Sequence, residues 1–189
     1  MEGTVDKTEK KRIHPHKFAL WVAMSSIVMM FAGLTSAYIV REAQGNWVEY
    51  KLPVIFYIST AVIFLSSITM ILGLRAFKRR EMPKFRMLIS LTLVLGILFC
   101  ALQWLGFNQL YAHNIRVDGN PSESFLFIIA GLHLLHILGG IIALLIVFFR
   151  AFRTKVKVYN ATGLEIVASY WHFVDVLWIY LFVFFLANQ

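Results

Sequence analysis

Ile141-Ile-Ala-Leu-Leu-Ile-Val-Phe-Phe149 is apolar on every face, however the chain is wound. A half-buried strand would alternate, and a surface helix would show polar residues on one side. This stretch does neither, so it reads as a helix in apolar surroundings. Working outward, it ends a charge-poor run over residues 125–149. Four similar runs lie at 18–40, 53–74, 87–110 and 164–186. A helix of about 20 residues crosses the roughly 30 Å of a bilayer's hydrocarbon, and each run reaches that length. The alternation of a membrane β-barrel is absent. The first run is too long for a secretory signal and is followed by four more. The expected fold is an all-α integral membrane protein, a bundle of five transmembrane helices.

Composition agrees. Of 189 residues, 59% are hydrophobic and only 15% are charged, against about 25% charged in ordinary soluble domains. The lone Cys100 excludes an internal disulfide and a cysteine-rich metal cluster. The net charge of +8 could suggest nucleic acid, but the positions of the charges suggest a membrane. Fifteen Lys and Arg residues flank the first run or fill the second and fourth connections, and only Arg41, Lys51 and Arg116 fall on the other side. The positive-inside rule therefore places the N-terminus in the cytoplasm and the C-terminus outside, in the periplasm of a bacterium. No nucleic-acid partner is expected. Residues 1–17 form a polar cytoplasmic N-terminus, and 18–189 a single membrane domain. The connections, 41–52, 75–86, 111–124 and 150–163, hold no soluble domain, and sequential helices are expected to be antiparallel neighbours. Thr162-Gly-Leu-Glu165 reads as the start of the fifth helix, with Glu165 near its free N–H groups.

Ionisable groups inside a membrane are costly and need a partner or a purpose. The hydroxyls of the second helix (Ser59, Thr60, Ser66, Ser67 and Thr69) can bond back to their own helix, and Gln103 can join helices. The fourth helix carries Gly131-Leu-His-Leu-Leu-His-Ile-Leu-Gly-Gly140. His133 and His136 share a face and could ligate metal or haem. Alternatively they bond to neighbouring helices, while Gly131, Gly139 and Gly140 permit close approach. In the fifth helix Asp175 sits mid-span, with His172 one turn earlier on the same face and able to hydrogen-bond it. Glu165, His172 and Asp175 form one polar stripe. Trp171 and Trp178, seven apart, line a neighbouring one. A proton path, a metal site and a buried network that locks the helices together all fit this pattern. No serine or cysteine nucleophile has an acid–base set, and no phosphate-cradling glycine loop occurs.

Tyr170-Trp-His-Phe-Val-Asp-Val-Leu-Trp178, preceded by Gly163-Leu-Glu165, resembles the last-helix signature of subunit III of the haem–copper respiratory oxidases. Gly131-Leu-His-Leu-Leu-His-Ile137, ending in Phe148-Phe-Arg150, is similar to that family's penultimate helix. Leu102-Gln-Trp104 and Phe31-Ala-Gly33 match more loosely. The resemblance covers the chain from about residue 14 and corresponds to the short five-helix bacterial form. It implies a subunit with no cofactor of its own and no catalytic or metal-ligating residue. Haem and copper would lie in partner subunits. The chain would pack on subunit I, beside subunit II, in the bacterial cytoplasmic membrane. It would stabilise a proton-pumping complex that reduces O₂ with electrons from cytochrome c or a quinol, and would support proton uptake. His133, His136, Glu165, His172 and Asp175 are expected to form a polar network between the fourth and fifth helices, and the resemblance implies phospholipid held by Arg150 and Lys155. Ile27 stands where the family usually has a buried Glu after a Ser, here Ser26. Two other classes make different predictions. A b-type cytochrome anchor would use His133 or His136 with His172 as haem ligands and show a Soret band. A small transporter would give ion flux from the chain alone, and internal repeats, which are not found.

Overall fold

The computed structural model describes residues 15–45, 52–112, 121–153 and 161–188. These residues form five helices and no strand: α1 (Pro15–Glu42), α2 (Val54–Lys78), α3 (Met82–Ala112), α4 (Pro121–Phe152) and α5 (Ala161–Ala187). All five are long and apolar enough to cross a membrane. The helices outrun the expected apolar stretches by up to five residues at an end. In the headgroup zone the backbone still gains from helical hydrogen bonding, while charged side chains reach water.

The largest difference lies between α2 and α3. The sequence suggests a connection over residues 75–86, yet both helices continue into it and leave only Arg79–Glu81 between them. Arg80 adopts φ 61°, a left-handed conformation. The Glu81 N–H bonds the Ala76 carbonyl and the Arg80 N–H bonds that of Phe77, each at 3.0 Å. This is the paired closure that usually ends on glycine; an arginine there costs about 1 kcal/mol. Lys84 pairs with Glu81 at 2.7 Å, and that hydrogen bond holds the exposed carboxyl below its ordinary pKa.

Helices α2, α3, α4 and α5 close a ring, each packing on the next and α5 returning to α2. α1 stands outside, against α4 and α5 only, and does not pack on α2. In the most apolar stretch of each helix, 44% of residues are buried in α5 and 17% in α1, so α5 is the central element and α1 a peripheral one. The outward faces carry large apolar side chains such as Met29, Trp104, Leu135 and Val176, as a surface facing hydrocarbon requires.

In lipid, apolar burial does not drive one helix against another, so close packing and directional bonds must. Trp171 supplies both. Its ring is fully buried, with edge atoms where a side chain on Gly96 of α3 or Gly140 of α4 would begin, at 2.8 and 3.0 Å. Gly106 of α3 makes room for Phe56 of α2 in the same way. Of the three glycines expected to permit close approach, Gly140 does so. Gly139 makes only ordinary contact with Tyr170, and Gly131 has nothing within 4 Å because it sits on the outer face of α4. Spacing placed these glycines on one helix but could not say which faced a neighbour.

Candidate functional site

The polar interior is built from two repeats of seven. On α2, Ser59 and Thr60 recur as Ser66 and Ser67; on α5, Trp171 recurs as Trp178. Seven residues are two helical turns, about 10.5 Å, so two antiparallel helices can meet at both levels. They do. Trp171 donates its indole N–H to Ser66 Oγ at 3.1 Å, and Trp178 donates to Thr60 Oγ1 at 3.0 Å. Beside the first of these levels the Ser67 hydroxyl and His172 Nδ1 share a hydrogen bond at 2.6 Å.

α3 joins from the far side of α2. Gln103 donates Nε2–H to Ser59 Oγ at 3.0 Å, and the Thr69 and Thr92 hydroxyls share a bond at 2.8 Å. The sequence reading assigned the α2 hydroxyls to their own helix. Several do bond back, Ser59 and Thr60 to the Phe56 carbonyl and Thr69 to that of Ser66. Ser59, Thr60 and Ser66 also accept bonds from other helices, a role that the seven-residue repeat could have suggested.

The expected polar residues are brought together only in part. His172 bonds Ser67, not Asp175. Asp175 is buried at the centre of α5, and neither carboxyl oxygen has a hydrogen-bond partner among the described residues. The Ser67 hydroxyl lies nearby and is bonded to His172. His133 is likewise buried, with no partner for either ring nitrogen. Its ring stacks on Trp178 at 5.1 Å and meets Phe99 and Phe31 edgewise. His136 donates Nδ1–H to the Leu132 carbonyl at 2.7 Å, and Tyr170 donates its hydroxyl to the His136 carbonyl at 3.0 Å. That last bond joins α4 to α5. Most other polar ties of α5 run to α2 and α1.

Glu165 does not cap its helix. One oxygen meets Lys17 of α1 at 2.7 Å and the other Lys78 of α2 at 2.8 Å. One carboxylate thus holds three helix ends, although these side chains are 26–52% exposed and each pair contributes at most about 1 kcal/mol. Farther along, the Thr35 and Tyr180 hydroxyls share a bond at 3.0 Å, and Tyr38 donates to the Asn188 carbonyl. α1 is therefore fastened to α5 at three heights. Arg150 lies exposed at the end of α4; Lys155 lies outside the described residues. Among the described residues, no three His, Cys, Asp or Glu side chains gather closely enough to share a metal ion.

The arrangement can hold helices in register. Interhelical hydrogen bonds inside a membrane average about 0.6 kcal/mol each, so this set fixes rotation and height while tryptophan packing supplies the larger share of stability.

Residues 17–187 match the family model of cytochrome c oxidase subunit III. A cytochrome c oxidase subunit 3 of Corynebacterium diphtheriae is 34% identical over 86% of this chain and 82% of its own length. A protein described as "Probable cytochrome c oxidase subunit 3" from Nocardia farcinica is 34% identical over 84% and 81%. Another, from Mycobacterium leprae, is 32% identical over 95% and 94%. The helices, their polar ties and these matches converge on one assignment: the chain belongs to the cytochrome c oxidase subunit III family.

Proposed function

We propose that this chain is a non-catalytic scaffold subunit of a proton-pumping terminal oxidase in the bacterial cytoplasmic membrane, with its N-terminus in the cytoplasm. It packs on the catalytic subunit I, beside subunit II, and binds no cofactor. Haem and copper belong to the partners, and cytochrome c supplies the electrons. The chain stabilises subunit I during turnover and supports its proton uptake, and phospholipid lies against the basic end at Arg150.

The observation that carries this reading is how the intramembrane polar groups of a subunit III family member are used. The side chains of Glu165 and His172, the backbone carbonyl of His136 and the α2 hydroxyls are spent on joining one helix to another. Deleting the chain provides the test. The remaining oxidase is expected to begin reducing O₂ near the normal rate and then lose activity as it turns over. Unchanged lifetime and unchanged proton uptake would refute the proposal.

Asp175 belongs to the same scaffold, packed beside Ser67 and His172. Asp175→Asn keeps the shape and a polar group, so assembly of the oxidase should be retained. Asp175→Ala leaves a hole and removes the group; a loss of about 1 kcal/mol would lower the ratio of folded to unfolded chain about fivefold. Immunodetection of the assembled complex checks both variants, and normal assembly of the alanine form would take Asp175 out of the scaffold.

A further inference from the structure

At the basic end of the bundle a cavity of about 380 Å³ opens between α1, α2 and α5. It exists because α1 packs on α4 and α5 but not on α2, which leaves a lateral gap toward the membrane. Lys17, Lys78 and Glu165 stand at its mouth, Trp21 and Leu74 form the walls, and Ser169 and His172 lie farther in. From Glu165 to His172 is seven residues of helix, about 10 Å. Polarity is therefore graded along the cavity, from a net positive mouth through a hydroxyl and an imidazole to apolar walls. His172 Nδ1 is engaged by Ser67, so an occupant would meet Nε2. Trp21 is 65% exposed on the outer rim, where an indole suits the boundary between water and hydrocarbon.

We propose that this cavity binds one phospholipid of net negative charge, its phosphate at Lys17 and Lys78, its glycerol esters at Ser169 and His172, and an acyl chain leaving between α1 and α2. The site is separate from Arg150, which lies on α4 and does not line it. Two lysines sharing one carboxylate leave a single uncompensated positive charge. One basic residue at a membrane surface favours an anionic lipid about fivefold.

The test uses the assembled complex in nanodiscs containing trace phospholipid with a photoactivatable diazirine in its acyl chain. Phosphatidylglycerol is the anionic probe and phosphatidylcholine the zwitterionic control. Phosphatidylglycerol should label peptides containing Trp21, Leu74 or Ile166 about five times more than phosphatidylcholine. Lys17→Gln with Lys78→Gln should bring the two probes level. Ser169→Trp, which fills the cavity and leaves both ion pairs in place, should leave only the equal labelling that bulk lipid gives the exposed Trp21. Equal labelling of the unaltered complex by the two lipids overturns the proposal. So does a preference for phosphatidylglycerol that survives Ser169→Trp, and so does loss of that preference in excess inorganic phosphate, which would mark a plain anion site. The wild-type comparison decides even where a variant fails to assemble. Label is read on the chain itself, so the result is independent of whether the chain stabilises the oxidase.

Discussion

Trp171→Ala is expected to lower the stability of the folded chain by about 3 kcal/mol, measured by equilibrium unfolding in mixed micelles. Truncating a buried tryptophan in a soluble protein costs about 3–5 kcal/mol, part of it lost transfer from water and part the cavity left behind. In a membrane the transfer part shrinks, because the separated helices are still surrounded by hydrocarbon, so the lower end applies. Three features keep the cavity part large. The ring is fully buried. It fills the hollows above Gly96 and Gly140, in contact distance of both backbones. Its N–H also satisfies Ser66 on α2, so α2, α3 and α4 all lose a contact to α5 at once. Trp171→Phe keeps part of the packing and should lose about half as much. A loss below about 1 kcal/mol for the alanine variant would show that the bundle is held elsewhere.

Gly96→Ala tests the same joint from the other side. The new methyl would stand 2.8 Å from Cη2 and 3.1 Å from Cζ2 of Trp171. An indole cannot bend, and this one is tethered at Nε1, so α3 and α5 must separate. Overpacking of this kind costs about 1–3 kcal/mol, more than the gain of up to about 1 kcal/mol from replacing glycine within a helix. Phenylalanine at 171 lacks the outer ring atoms that make the clash. The double variant Gly96→Ala with Trp171→Phe should therefore be more stable than the two separate losses predict, with a coupling of at least about 1 kcal/mol. Gly131→Ala is the control: nothing stands within 4 Å of the added carbon, and stability should hold or rise. Additive behaviour of Gly96 and Trp171 would show that the close approach does not constrain the fold.

Much of the site was visible before any coordinates. Trp171 and Trp178 at heptad spacing, the mid-span Asp175 and the histidines of α4 were all legible as a polar and aromatic interior. Their partners were not. Ser66, Ser67 and Thr60 looked like hydroxyls closed on their own helix, yet they receive Trp171, His172 and Trp178. Gly96 and Gly106 drew no attention, while Gly131 drew attention and faces outward. Glu165 looked like a cap and is a junction of three helices.

The division has a physical cause. The sequence by itself determined that the chain is a bundle of five helices able to cross a membrane, because runs without charge over more than 20 residues have no other stable home. A helix that is apolar all round carries almost no information about its rotation, since hydrocarbon accepts every face alike. Which face of α5 meets α2, why α1 stands outside the ring, and which glycine receives a tryptophan depend on shape fit and on a few directional bonds between residues up to 150 positions apart. Only the tertiary structure decides those, because each is a property of two surfaces together.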